Sequence, residues 1–215
     1  SFLNAAFAMT DTKIGENFRI IGGLRIESYN QQFNYIEFGS NENKHIDTTV
    51  VDFLPSVNIV YSLNKKMKLR GSYYRTVSRP EFRELAPFSF YNFVIDNIVS
   101  GNPNLKRATI DNFDVRWEMY PGKGQIISVS GFYKTFENPI ELINRTGTSG
   151  APELYYANVN KVKNIGAEFE IRYNLGTFCK KESKLWDNIT LYSNLSLIKS
   201  TVDMSHFVGS SENRP

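Results

Sequence analysis

Side chains suited to chemistry are few in this chain, and they are scattered. There is one cysteine, Cys179, and there are two histidines, His45 and His206. A lone cysteine excludes an internal disulfide framework and a multi-cysteine zinc site. Two distant histidines offer little to metal binding or histidine-based catalysis. Cys179 sits in a polar, lysine-rich stretch and reads as a bystander. The densest recognition-type cluster is aromatic: Phe82, Phe88, Phe90, Tyr91 and Phe93 crowd one short span beside Arg83, Glu84 and Asp96. Rings with an arginine among them could line a ligand entrance on a long loop. The competing reading is structural, because a long loop folds on itself and needs a small core of its own. The structural reading is favoured, and the set expected to face a ligand is Phe82, Arg83, Phe88, Phe90, Tyr91 and Phe93. No catalytic residue, metal ligand or cofactor is expected.

The elements that must position these residues follow from composition and periodicity. Of 215 residues, 25 are Lys or Arg and 22 Asp or Glu, giving a formal charge of +3, too small an excess to imply a nucleic-acid surface. A hydrophobic share of 41%, with 16 Phe, 12 Tyr and 2 Trp, excludes disorder. No run approaches the roughly 18 apolar residues of a membrane-spanning helix, so any membrane contact uses another architecture. The dominant signal is alternation of period two. Phe113, Val115, Trp117 and Met119 alternate with Asn112, Asp114, Arg116 and Glu118, one face apolar and the other polar or charged. Weaker versions recur, with apolar rows at Leu3/Ala5/Phe7/Met9, Phe18/Ile20/Leu24/Ile26, Val51/Phe53/Val57/Ile59/Tyr61, Met67/Leu69/Tyr73, Ile127/Val129/Tyr133, Ile165/Ala167/Phe169/Ile171/Tyr173 and Ile189/Leu191/Leu195/Leu197. Eight strands and no convincing helix predict an all-β, antiparallel chain.

Alternation alone does not say which face is the core. In a soluble barrel or sandwich the apolar rows point inward; in an outer-membrane barrel they face lipid and the charged rows face a polar lumen. Two features favour the membrane barrel. Short connections at residues 11–17, 62–66 and 121–124 alternate with long irregular ones at 39–46, 79–108 and 138–157, so short turns collect at one end and long loops at the other. Aromatics also lie beside the short turns, at Phe18, Tyr61, Tyr120, Tyr173 and Trp186, as in an interfacial girdle.

Residues 70–88 read Arg-Gly-Ser-Tyr-Tyr-Arg-Thr-Val-Ser-Arg-Pro-Glu-Phe-Arg-Glu-Leu-Ala-Pro-Phe, followed by Gly-Asn-Pro-Asn-Leu-Lys at 101–106, Asp-Asn-Phe-Asp-Val-Arg-Trp-Glu at 111–118, Pro-Gly-Lys-Gly at 121–124 and Phe-Tyr-Lys-Thr-Phe-Glu-Asn-Pro-Ile at 132–140. In that order these elements resemble the β-barrel region of TonB-dependent outer-membrane receptors, most closely the Bacteroidetes type. The resemblance covers residues 3 to about 200 in strand pattern. It implies a bacterial outer-membrane location and a segment of about eight strands from a 22-stranded barrel plugged by a separate domain. It also implies partners: outer-membrane lipid, TonB acting through the plug, and an extracellular ligand such as a siderophore, cobalamin, glycan or peptide; no nucleic acid is implied. Import in that family is active transport, not an enzymatic reaction.

This sequence contains neither a plug, nor a TonB-interacting box, nor a terminal strand ending in an aromatic. Residues 1–215 are therefore expected to be a partial barrel domain. The opening Ser-Phe-Leu-Asn-Ala-Ala, without Met or a basic leader, reads as the interior of a longer polypeptide. The rival readings are a self-contained eight-stranded outer-membrane barrel and a soluble β-barrel binding module. Pro55, inside an apolar row, predicts an edge, bulge or break in the third strand. Arg79-Pro80 and Asn102-Pro103 are expected to set turns. The Asn-X-Ser/Thr matches at Asn144, Asn188 and Asn194 read as chance in a bacterial outer-membrane protein.

Overall fold

The computed structural model of the chain describes residues 1–36, 42–146, 152–177 and 189–205. Cys179, Trp186, Asn188 and His206 lie outside the described residues. Eight long strands form one antiparallel sheet: β1 (Phe2–Ile14), β2 (Phe18–Ile36), β3 (Asn43–Asn64), β4 (Met67–Ser78), β7 (Ala108–Met119), β8 (Ile126–Glu137), β11 (Lys161–Asn174) and β12 (Thr190–Asp203), in that spatial order. β1 and β12 are its two edges, so the sheet is an open wall and not a closed eight-stranded barrel. The 22 residues of β3 extend about 70 Å, far beyond the 9–11 residues that cross a bilayer. The β2–β3 hairpin therefore projects well past one end.

Two of the three long connections expected to be irregular, 79–108 and 138–157, hold structure of their own. Between β4 and β7 lie a one-turn helix α1 (Phe82–Leu85) and two short strands, β5 (Ser89–Asn92) and β6 (Asn97–Ser100). Between β8 and β11 lie β9 (Ile140–Thr146) and β10 (Pro152–Asn158). These four short strands make a second sheet ordered β5-β6-β10-β9, in which β6 and β10 run parallel. Four-residue strands are too short to show periodicity, and the expectation of no helix missed the single turn of α1.

Register settles which residues share a face. Tyr73 opposes Phe113, Phe113 opposes Tyr133, and Tyr133 opposes Ile165, so the apolar rows form one continuous face. Asp52 opposes Glu27, Glu118 opposes Lys68 and Glu170 opposes Ser128 on the other. Burial on the two faces is inverted relative to a soluble protein: Phe53, Val115 and Ile165 are more than half exposed, while Asp52 and Glu118 are 3% and 6% exposed. The charged face satisfies its own groups across strands. Arg70 Nε reaches Glu118 Oε2 at 2.8 Å, Arg116 Nε reaches Glu118 Oε1 at 3.0 Å, and Arg116 Nη2 reaches Glu170 Oε2 at 2.7 Å. Bare apolar rows beside a paired polar face are what a wall between lipid and lumen requires.

Two sequence expectations are corrected by this register. Leu3, Ala5, Phe7 and Met9 oppose Tyr29, Glu27, Arg25 and Gly23, so this apolar row lies on the charged face. The tight turn at Gly15, whose φ is 65°, and the two-pronged Arg19–Asp11 pair accompany that register. Tyr120 does not join the girdle: its hydroxyl donates to Glu118 Oε2 at 2.8 Å and Lys68 lies over its ring, both on the charged face. Phe18 and Tyr61 do meet on the apolar face, with centroids 6.4 Å apart. Pro55 stands in β3 one residue before pairing with β4 begins at Ser56, which matches the expected edge.

Candidate functional site

The short sheet is held over the long-loop end of the charged face. Ile143, Ala157 and Val159 form a buried cluster with Val162, and Phe136 and Val202 pack against it. Val162 opposes Phe136 on one side and Val202 on the other, so this small core is rooted on the charged face, beyond the last ion pairs of the wall.

The aromatic segment is fixed at both of its ends by one carboxylate. At the end of β4 the chain turns at Arg79-Pro80, and Arg79 Nη2 bonds Asp52 Oδ2 and Glu27 Oε2, each at 2.7 Å. Its guanidinium also lies 4.9 Å from the Tyr29 ring centroid. Arg107, at the segment's return, places Nε 2.5 Å from Asp52 Oδ1, and Arg25 Nε bonds Glu27 Oε1 at 2.7 Å. Three arginines against two carboxylates leave the cluster net positive, and charged partners compensate the desolvation of Glu27 and Asp52. The distance from β3 to the two ends of the segment in sequence is what made this cluster invisible beforehand; only Arg79 sits in a motif that sequence reading singled out.

Within the segment, hydrogen bonds account for several motif residues. Glu81 and Glu84 form a reciprocal capping box around α1, with the Glu81 N–H donating to Glu84 Oε2 at 2.9 Å. Asn102 donates from its backbone to Glu84 O at 2.6 Å and from its side chain to Tyr156 O at 3.1 Å, tying α1 to β10. Gly101 is obligatory at this crossing, since a Cβ there would lie 2.0 Å from Ala86 O. Asn158 joins the two long connections, donating to Lys106 O at 2.9 Å and Asn138 O at 2.7 Å. Its importance carried no sequence signal.

The expected ligand-facing residues fall into three groups. Arg83 stacks 3.9 Å from the Phe90 centroid, and Phe88 meets Phe90 edge-on at 6.3 Å. Tyr91 and Phe93 pair at 4.9 Å, and the Tyr91 hydroxyl donates to Asp96, which pushes that hydroxyl above its ordinary range. Phe82 stands apart, edge-on to Phe33 at 6.0 Å. The buried core of this region is Leu85, Ala86 and Val99, and the aromatics lie largely outside it. At the hairpin tip Phe93 and Val94 are 87% and 93% exposed. Two clefts open between the segment and the charged face. One, of about 540 Å³, is lined by Tyr29, Val50, Arg79, Leu85 and Arg107; the other, of about 490 Å³, by Arg79, Glu84, Ile110, Phe136 and Asn164. No His/Cys/Asp/Glu grouping suited to a metal occurs among the described residues, and His45 Nδ1 sits 2.5 Å from Asn34 Oδ1.

Comparison with known proteins places this arrangement. The sequence profile of the family described as TonB dependent receptor-like, beta-barrel, matches residues 2–214. Among solved structures, the chain is similar to the siderophore receptor PirA from Pseudomonas aeruginosa, with TM-score 0.63 and 16% identity over 93% of this chain and 32% of that one. It is similar to the copper transporter OprC, with TM-score 0.68 and 19% identity over 94% and 30%. It is also similar to the Serratia marcescens hemophore receptor HasR, with TM-score 0.65 and 16% identity over 81% and 32%. The chain thus spans about a third of these receptors' length. No curated protein matches it.

Proposed function

The chain belongs to the TonB-dependent receptor-like β-barrel family, and we propose that it forms part of the wall of a receptor that binds an extracellular ligand and imports it with energy transduced by TonB. Its location is the bacterial outer membrane. The family match along residues 2–214 carries this reading, and the inverted burial of the two faces supports it. On this account residues 1–215 are a partial barrel domain, and a plug encoded elsewhere in the polypeptide makes the contact with TonB. The role is transport, with no reaction assigned to the wall.

The similar structures carry names as different as siderophore receptor, hemophore receptor and copper transporter, so the wall itself does not select a cargo. Selection belongs to the segments over the mouth. Within them, we assign ligand contact to Tyr91 and Phe93 at the hairpin tip, then to Arg83, Phe88 and Phe90, with Phe82 at the margin. The fixed ends at Arg79 and Arg107 hold these rings in place without touching the ligand.

The test is uptake by the full-length receptor in cells with and without functional TonB, using labelled ferric siderophores, cobalamin, an oligosaccharide and a peptide. TonB-dependent accumulation of one of these, reduced by Phe93→Ala with Tyr91→Ala, is the expected result. Accumulation that persists unchanged without TonB would contradict the mechanism.

A further inference from the structure

One strand in the interior of the wall carries an open edge. β3 pairs with β2 from Asn43 to Tyr61 but with β4 only from Ser56 to Asn64. Beyond that point β4 runs on to Ser78 beside β7 alone, and a gap of about 580 Å³, with Pro55, Tyr73, Arg75 and Val77 in its lining, separates it from β3. Both neighbours of β3 belong to the sheet, so this edge does not arise from the ends of the chain. Among the described residues, no backbone–backbone hydrogen bond joins residues 45–55 to any element except β2.

One bond fixes which backbone groups face the gap. Ser62 N donates to Asn17 O at 2.7 Å, one step beyond the Tyr61–Phe18 pair. Hydrogen-bonded pairs alternate along an antiparallel ladder, and the β2–β3 register has no shift. Even-numbered residues of β3 therefore turn their backbone groups to β2, and odd-numbered residues turn theirs away. His45, Asp47, Thr49, Val51 and Phe53 each present an N–H and a C=O to the gap. Pro55, next in that series, has no N–H to offer β4, which accounts for where the pairing stops. Open edges are commonly blunted by lysine, proline or a covering segment. Residues 46–54 read Ile-Asp-Thr-Thr-Val-Val-Asp-Phe-Leu, without Lys, Pro or Gly and rich in strand formers.

We propose that the edge of β3 from His45 to Phe53 receives an extended acidic segment of a partner polypeptide, which joins the sheet as an added strand. A row of outward N–H and C=O groups at strand spacing is matched by another extended backbone. On one face the added side chains meet Thr49, Val51 and Phe53, all exposed and suited to β-branched neighbours. On the other they enter the cleft of about 540 Å³ beside Ile46, Thr48 and Val50, whose opposite wall carries Lys106 and the net-positive cluster of Arg79 and Arg107. That charge is what calls for acidic side chains. Val51 stands ten residues from Tyr61 on β3. That is about 33 Å of strand, or about 25 Å along the membrane normal at a tilt of roughly 40°, the height of the apolar band. Residues 45–51 thus lie at and beyond the outer boundary of the hydrocarbon, a placement that rests on the outer-membrane reading above.

The experiment is residue-resolved hydrogen exchange and fluorescence anisotropy of the full-length receptor in nanodiscs, with a labelled ten-residue peptide of alternating Val and Glu as the probe. In the free receptor the amides at 47, 49, 51 and 53 should exchange quickly, and the peptide should protect them. Methylating one alternate set of the peptide's backbone nitrogens should abolish binding and methylating the other should be tolerated, because an added strand turns only every second N–H toward β3. Val51→Pro removes one outward donor without touching the β2 ladder and should weaken binding about tenfold, whereas Val51→Thr should bind like the wild type. A peptide with Lys in place of Glu should bind more weakly. Slow exchange at these amides in the free receptor would assign the edge to another part of the receptor and overturn the proposal. Equal binding by the two methylated peptides, or by the Lys peptide and the Glu peptide, would overturn it too. None of these readouts uses uptake, so their failure is distinct from failure of the transport reading.

Discussion

The two faces of the eight-stranded sheet obey opposite rules. On one, Phe53, Val115, Ile165 and Leu197 are each more than half exposed. On the other, Glu27, Asp52 and Glu118 are buried, each held by at least two charged or hydroxyl partners. A soluble sheet would reverse this, because burying apolar rows is its main source of stability. The difference shows that polarity alone does not decide what is inside; the medium on each side does. Backbone groups meet the same demand on both faces through ladder hydrogen bonds, so only the side chains reveal the asymmetry.

Mutations that put the wrong chemistry on a face are the direct way to break this contrast. Val115→Arg, in the middle of the apolar row of β7, should cost about 2–4 kcal/mol of folding into lipid vesicles. Ser72→Arg, on the charged face and opposite Asp114, should cost less than about 1 kcal/mol, because it gains a cross-strand carboxylate. Parallel denaturant titrations of the full-length barrel in vesicles read both. Next in size is the fixed end of the mouth segment. Asp52→Ala strips a shared carboxylate from Arg79 and Arg107, and about 2–3 kcal/mol of attachment should go with it. Faster limited proteolysis between residues 79 and 107, with the long strands still protected, is the expected signature.

Gly101→Ala sharpens the same point sterically. Its new Cβ meets the Ala86 carbonyl, and a destabilisation of about 1–3 kcal/mol confined to the mouth segment is expected by hydrogen exchange. The smallest effect belongs to the exposed rim. Arg75→Gln removes one solvent-screened partner of Asp111 and should shift stability by less than about 1 kcal/mol in the same vesicle titrations.

How much could be read beforehand depended on how strongly each strand distinguishes its faces. β7 alternates without exception from Asn112 to Met119, so its orientation was evident over that stretch. β1 was misread because both of its rows are weakly apolar: Ala6, Ala8 and Ile14 oppose β2's apolar row, while Leu3, Phe7 and Met9 oppose its charged one. A one-residue choice of register decides between them, and pairing with β2 makes that choice. The aromatic segment was visible as composition, but its support was not. Asp52 reaches Arg79 and Arg107 only after β3 and β4 pair, and Asn158 bridges two loops that nothing in the sequence links. The second sheet escaped notice because its strands carry four to seven residues each, too few for a period to show.

The central claim is that the apolar face meets lipid and the charged face does not. Fluorophores attached to single cysteines at positions 112 through 117 of the full-length protein, in a Cys179→Ser background and in nanodiscs with brominated lipid, test it directly. Strong quenching at 113, 115 and 117 with weak quenching at 112, 114 and 116 is the predicted pattern. Quenching without that alternation, or strongest at 114 and 116, would contradict the account.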